Sequence, residues 1–495
     1  MKIVPPTIIQ QWEQDTLAAG ITVSALMRQA VNGCFRFITG KFPVPGAALF
    51  LCGKGNNGND GLWLAGLLAG QGWDIEVLLT ESPATRKLVD APAIRLALAN
   101  AQVWPACHSY HLEDHEPALV FDCLLGVGAT GEPAGKTREM LEWWQAQRRP
   151  WHVTVSVDTP SGLDADSGAA AACAFEADFT LAIGAVKRGC LTATGGKVSG
   201  RLVPVPLTTY QDHADQFADF FDLPMAREMA RPLTVTMHKY QRGDLSVFAG
   251  SPGFLGAAVL VTRAALRAGA GVVRLFCHPD CYRELSLKTP EVMVAPWDGQ
   301  SLPEKAATSD AWVAGPGFGT DPAAERKFAL LLRAATRPLL LDADALLLLN
   351  AQTQLLPTRN YPIVMTPHEG EFKRLRGSPV TDRQAAALAW INKYPNTTLV
   401  LKGAHTLVAD SDRQPSYNGS GNPGLATAGT GDVLAGVIGA LLAQGLAVGD
   451  AARLGVYWHG LAADVALSTQ TEQTLRAGDV IASLSAAWKK IRPLV

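Results

Sequence analysis

The sequence predicts two α/β units in tandem, each a doubly wound parallel sheet. Three observations lead there. Apolar runs of strand length alternate with longer helical segments from end to end; most of those runs stop at a glycine or a carboxylate; and the character of the chain changes once, between about Pro206 and Thr236. At 495 residues the chain is too long for one ordinary domain, and its 48% hydrophobic and 18% charged residues supply apolar side chains for more than one core.

The first half opens with a helical stretch, residues 8–39, in which Leu17, Ile21, Leu26 and Met27 fall at helical spacing. Residues 46–53 read as a buried strand that stops at glycine. The glycine loop 53–61 then opens a second helix at 62–71. Further strands are expected at 74–80, 103–106, 118–124, 152–157, 179–183 and 202–204, with a helix at 139–148. Strand, glycine loop and helix in that order place a phosphate or nucleotide site at the carboxyl end of a parallel strand.

Residues 206–236 are polar and aromatic without strong strand character, so the join between the units belongs there. The second half runs through strands at 245–249, 272–277, 311–314, 338–342, 363–365 and 398–401, with a helix at 256–268. Its strand ends carry Gly315-Pro316-Gly317, Asp342-Ala343-Asp344, Thr366-Pro367-His368 and Lys402-Gly403-Ala404. A polar hairpin then leads to residues 422–436, a glycine-rich turn running into an apolar helix that begins near Asp432. The two halves share no obvious repeat.

The stretch around Asp432 has the makings of an anion hole. Gly429 and Gly431 allow close backbone approach, and the first helical turn offers unpaired N–H groups and a positive dipole end. A carboxylate at the mouth of such a hole is what a hydroxyl needs to lose its proton while attacking phosphorus. The plainer reading is a helix cap behind a tight loop. In the first half, Asn57, Asp122 and Ser161 offer an all-oxygen set at strand ends, suited to a hard cation, monovalent or divalent. Asp158 follows a buried strand and precedes a Pro-Ser-Gly turn, which makes it a general acid/base candidate or, with Ser161, a turn cap. Gly126, Val127, Gly128, Ala129, Thr130, Gly131 and Glu132 form a mobile loop or an anion cradle. His108, His111 and His115 cluster in a loop-like stretch read as surface.

The net charge of -2 gives no electrostatic case for nucleic acid or an anionic membrane as partner. The eight cysteines form no CxxC pair and read as reduced thiols. Residues 1–11 hold no apolar block of signal-peptide length, and no segment approaches the ~18 consecutive apolar residues of a membrane span. A soluble cytoplasmic protein is expected.

The Gly-Asn-Asn-Gly-x-Asp-Gly loop at residues 55–61 and the Asp-x-Pro-Ser-Gly-Leu-Asp turn at 158–164 resemble the epimerase domain of the NAD(P)H-hydrate repair enzymes. The second-half set, from His238-Lys239 through Gly429-Thr430-Gly431-Asp432, resembles their ADP/ATP-dependent dehydratase. The likeness covers nearly the whole chain in the order of the fused bacterial form. It implies a Rossmann-like three-layer sandwich over residues 1–206, a linker at 207–235 and a ribokinase-like three-layer α/β domain over 236–495. It also implies that Asn56, Asn57, Gly58, Asn59, Asp60, the 126–132 loop and Asp158 hold the hydrated nicotinamide nucleotide, NADHX or NADPHX. Potassium would sit on Asn57, Asp122 and Ser161. Ala257, Gly317, His368 and Asp432 would face the substrate in the second domain, with Asp432 as base. Lys402, Gly403, Ala404, His405 and Thr406 with Gly431 would hold ADP, accompanied by magnesium. A homo-oligomer is the expected assembly.

Asn59 stands where the family loop has its second glycine. Asn tolerates a left-handed backbone, so the fold is expected to survive and the side chain to crowd the substrate. The competing reading is a ribokinase-like vitamin or sugar kinase carrying a non-catalytic nucleotide-binding module at its N-terminus.

Overall fold

A computed structural model describes residues 1–85, 92–99, 101–103, 119–207, 216–358 and 360–492. The three clustered histidines and Cys107 lie outside them. The chain divides into Met1–Ala218 and Asp219–Val495.

The strands of the first unit are, in chain order, β1 (Ile3–Val4), β2 (Ala47–Cys52), β3 (Asp74–Leu79), β4 (Ala101–Val103), β5 (Leu119–Cys123), β6 (Val153–Val157), β7 (Phe179–Ile183), β8 (Val186–Lys187) and β9 (Arg201–Val205). Seven make one parallel sheet in the order β4-β3-β2-β5-β6-β7-β9. Along β2, Ala48, Phe50 and Cys52 pack on one face with helices Val23–Lys41 and Asn56–Ala69. Leu49 and Leu51 pack on the other with Met140, Leu141 and Trp144 of helix Gly135–Gln147. That period of two, with both faces covered, is why β2 reads as an unbroken apolar run. The chain enters the sheet at its middle, so the β2 and β5 connections part company and leave a crevice at their carboxyl ends.

The second unit adds β10 (Asp219–Phe221), β11 (Asp244–Phe248), β12 (Val272–Cys277), β13 (Met293–Pro296), β14 (Ala311–Ala314), β15 (Leu339–Leu341), β16 (Ile363–Met365), β17 (Thr397–Leu401), β18 (Leu407–Ala409) and β19 (Ser416–Asn418). The order is β10-β19-β18-β17-β16-β15-β14-β11-β12-β13. Only β18 runs against its neighbours. The switch point lies between β11 and β14.

Helix Thr430–Ala443 is buried on nearly every side, as an all-round apolar sequence requires. Two glycines let it sit that deep. A Cβ on Gly436 would lie 2.2 Å from the Val261 carbonyl oxygen of helix Leu255–Arg267, and one on Gly439 would lie 2.5 Å from Val313 of β14.

Four expectations shift. The helical stretch 8–39 is two helices, Pro6–Ala18 and Val23–Lys41, parted at Gly20, whose φ of +92° a helix cannot accommodate. The helix after β2 starts at Asn56 rather than residue 62, because its glycines are packing positions: a Cβ on Gly58 would lie 1.8 Å from the Gly53 carbonyl oxygen. The weak strand expected at 103–106 begins earlier, in Ala101–Val103, and residues 104–106 lie outside the described residues. The supposed linker 207–235 carries β10 and helix Leu223–Met229, both elements of the second unit. Three residues make too short a run to show a period, and β10 exists because β19 pairs with it.

Gly436→Val is expected to cost stability at the top of the ~1–3 kcal/mol range for overpacking, since the clash is with backbone. Denaturant titration of the two proteins measures it; an unchanged midpoint would contradict the packing described here.

Candidate functional site

In the first unit the predicted oxygen ligands meet around the peptide of Leu125. The Asn57 amide donates to the Leu125 carbonyl at 2.6 Å, and Ser161 Oγ accepts from the Leu125 N–H at 2.9 Å. Asp122, fully buried at the end of β5, accepts from Ser161 Oγ (2.6 Å), Ser161 N (2.7 Å), Ser156 Oγ (3.0 Å) and Leu124 N (3.2 Å). Burial pushes its carboxyl up and these bonds hold it down. Asn57 Oδ1 is buried without a hydrogen-bond partner among the described residues.

Asp158 ends β6 with φ +72°, a left-handed conformation that costs a non-glycine residue about 1–3 kcal/mol and gathers at functional sites. Its carboxylate is paired with Lys187 Nζ, and Lys187 also donates to the Ile183 carbonyl at 2.9 Å. Lys187 is wholly buried, arriving on β8 just past the end of β7. Two more acids stand close by. Burial first, then the charges of Asp158 and Glu13, push Asp60 well up; burial and then Asp158 push Glu13 up. The site thus holds one ion pair beside two carboxyls biased toward the protonated form, an arrangement fit for passing a proton.

Asn59 is helical, its N–H bonded to the Gly55 carbonyl, and only 2% exposed. No left-handed backbone is needed, and the side chain is buried. A Cβ on Gly126 would lie 3.3 Å from Asn57 Cβ, and Val127 packs with Val4, Ile9 and Trp12 beside the helix that carries Glu13. Gly128, Thr130, Gly131 and Glu132 are exposed, with Ala129 half-buried in a turn bonded to Gly126.

In the second unit Gly429 caps helix Thr430–Ala443 in a left-handed conformation (φ +90°), and Asp432 stands in its first turn. Burial first, then Asp342, push Asp432 up to about 7; Lys402 pulls the other way and Asp344 adds to the rise. Lys402 Nζ bonds Asp342 Oδ1 at 2.9 Å and lies 4.0 Å from Glu371, while Thr366 Oγ1 also donates to Asp342. Burial depresses the Lys402 ammonium, but the surrounding acids more than restore it, so its pKa lies above the ordinary value. Gly431 faces this group: a Cβ there would meet Lys402 Nζ at 3.5 Å.

Gly317 (φ +56°) adjoins Ala257: a Cβ on it would lie 3.3 Å from Ala257 Cβ. His368 caps helix Glu369–Arg376, its Nδ1 accepting from Gly370 N and Glu371 N, while its Nε2 lies 3.6 Å from Glu371 Oε1. Gly403 and His405 both have positive φ, and Thr406 Oγ1 donates back to Gly403, so residues 402–406 make a tight turn. Arg383 holds that turn through the Leu401 and Ala404 carbonyls at 2.9 and 2.8 Å. Sequence reasoning named neither Lys187, Glu13 nor Arg383. Lys187 alone carried a signal, a lysine set among apolar residues directly after a buried strand.

The raised Asp432 has a thermodynamic consequence. Between its ordinary value of 3.8 and about 7 the folded state binds the extra proton, so stability falls as pH rises through that window. Asp432→Asn is therefore expected to match the parent melting temperature near pH 4 and exceed it above pH 7. Melting curves across pH check this; a difference independent of pH would remove the perturbed carboxylate.

Residues 245–484 match the family model described as NAD(P)H-hydrate dehydratase, and residues 23–189 match the YjeF-related protein N-terminus. The chain is 32% identical over 503 residues to the bifunctional NAD(P)H-hydrate repair enzyme of Thermofilum pendens, covering 96% of this chain and 93% of that one. Against the Escherichia coli bifunctional NAD(P)H-hydrate repair enzyme it is 33% identical over 476 residues, covering 94% and 89%. The crystal structure of the ADP/ATP-dependent NAD(P)H-hydrate dehydratase from Bacillus subtilis, co-crystallised with ATP and Mg2+, matches with a TM-score of 0.50 and 28% identity, covering 56% of this chain and 99% of that one. With both units matched and the relatives spanned nearly end to end, the chain belongs to the family of bifunctional NAD(P)H-hydrate repair enzymes.

Proposed function

We propose that the second unit dehydrates the S epimer of hydrated NADH and NADPH at the expense of ADP, while the first interconverts the R and S epimers. The observation that carries the reading is Asp432: a carboxyl pushed up to about 7, at the first turn of a buried helix and beside the Lys402–Asp342 pair.

A base with a pKa near the working pH is well matched to removing a hydroxyl proton as its oxygen attacks phosphorus. Asp432 takes the proton from the ring hydroxyl of the hydrated nicotinamide. The oxygen bonds to the terminal phosphorus of ADP, and AMP leaves. N–H groups at residues 429–431, with Lys402, stabilise the charge that develops on the phosphoryl oxygens. The ring nitrogen lone pair then expels phosphate, and loss of the neighbouring carbon's proton restores the dihydronicotinamide. Magnesium, carried in by the nucleotide, would neutralise phosphate charge. Among the described residues no three His, Cys, Asp or Glu side chains gather as a metal site, which suits an ion held mainly by phosphates.

In the first unit Asp158, oriented by Lys187, exchanges a proton with the substrate while the carbon bearing the hydroxyl loses its configuration. Asp60 and Glu13 are the neighbouring proton sources. Asn57, Asp122 and Ser161 would hold potassium, which would offset negative charge beside the substrate's phosphates. The unpartnered Asn57 Oδ1 favours a cation there, and Asp122 would share oxygens already engaged by Ser156, Ser161 and Leu124.

Asp432→Asn is expected to lower dehydration of S-NADH hydrate by at least ~10²-fold, in line with loss of a general base, with nucleotide binding retained. Near-parental turnover would sink the assignment, and accumulation of a stable phosphorylated product would favour a kinase. For the parent, kcat/KM should fall tenfold per pH unit below about 7, where Asp432 is protonated. With a mixed-epimer substrate, recovery of reduced-nicotinamide absorbance should reach completion for the parent and stop after the S epimer for Asp158→Ala; full recovery by the variant would move the epimerase chemistry elsewhere.

A further inference from the structure

We propose that a cavity beside the turn at residues 315–319 seats the adenosine end of the dinucleotide substrate, leaving the hydrated ring at Asp432. The inference rests on the dehydratase reading and extends it to a subsite.

The cavity measures about 320 Å³ and opens over the carboxyl ends of β11, β12 and β13. That is the small end of the ~300–1,000 Å³ typical of ligand pockets, room for a nucleoside and too little for a whole dinucleotide. It is continuous with the substrate wall. Gly250 N and Ser251 N, which line it, donate to the Gly317 carbonyl at 3.0 and 2.8 Å, and Gly319 N at its rim donates to Asp344. Phe254, whose backbone and Cβ face Gly317, stands at the mouth 59% exposed.

Its chemistry suits a nucleotide. The exposed Phe254 and the half-buried Phe318 line it, with Phe318 backed by the buried Trp297 at a centroid distance of 6.3 Å, so an aromatic surface is offered to a base. Lys327 supplies charge. Only 9% exposed, it donates to the Trp297 carbonyl at 2.9 Å and stands 5.6 Å over the Trp297 ring. Burial lowers its pKa, and Asp321 and Asp298 act on it only through space, Asp321 spending one oxygen on Ala323 N and Ala324 N. A buried ammonium facing a cavity, with no carboxylate in ion-pair contact among the described residues, invites a phosphate. The nicotinamide and adenine ends of the substrate are separated by a pyrophosphate, so a site that grips both ends needs a second pocket of this kind.

The test compares two substrates of the whole protein with ADP and magnesium: S-NADH hydrate, and the hydrate of reduced nicotinamide mononucleotide, which lacks the adenosine half. Lys327→Met and Ala323→Trp (an exposed lining residue, so the fold is spared) are the variants. Each is expected to raise KM for NADH hydrate about tenfold, toward the mononucleotide value, and to leave kcat and KM for the mononucleotide hydrate unchanged. Equal effects on both substrates, or none on either, would overturn the subsite. Failure of the parent protein to turn over either hydrate would instead remove the dehydratase reading.

Discussion

The second unit depends on how deeply helix Thr430–Ala443 is sunk between the sheet and its neighbouring helices. Gly436 and Gly439 let backbone meet backbone and β14, which fixes the helix along its axis and therefore fixes where its first turn points. Everything chemical about the site follows from that placement. The dipole end and the left-handed cap at Gly429 leave backbone N–H groups and positive charge at the first turn, and the same burial strips water from Asp432. A carboxylate there cannot ionise at its ordinary pH, because the hydration that would favour its charge is gone. Lys402 offsets part of this, yet its direct hydrogen bond goes to Asp342 and not to Asp432.

The first unit solves the same problem differently. It buries a lysine completely and turns the backbone at Asp158 into a conformation that a side chain other than glycine's resists. Both costs are borne by a sheet whose two faces are fully packed, and both converge on one carboxylate. The two nearby acids, Asp60 and Glu13, are shifted upward in part because that carboxylate is there. The Asn57, Asp122 and Ser161 oxygens gather a few residues away around the Leu125 peptide, so that the Asp158–Lys187 pair and this polar cluster lie on neighbouring strand ends of one sheet.

Much of this was legible in the chain. Apolar runs gave the central strands of both sheets closely, though β13 (Met293–Pro296) escapes that pattern and β18 and β19 read only as a polar hairpin, and carboxylates at strand ends marked Asp122, Asp158 and Asp342. What stayed hidden depends on distance in sequence. Asn56 starts a helix only because Gly58 and Gly61 fit against β2 and β5, a tertiary constraint that overrides the loop-like composition. Lys187 meets Asp158 across 29 residues, and Arg383 reaches the 402–406 turn from a separate helix. Strand β10 is too short to announce itself. The pKa of Asp432 is likewise invisible in sequence, since it is set by burial and by Asp342, ninety residues upstream.

The complete burial of Lys187 has a further meaning. An amine-reactive reagent meets the exposed lysines at once, but it can reach this one only when the carboxyl edge of β7 and β8 opens. Its rate of acylation is then a clock for local opening, reporting how often the first unit loosens around Asp158. A bound substrate should slow that clock, whichever epimer it is.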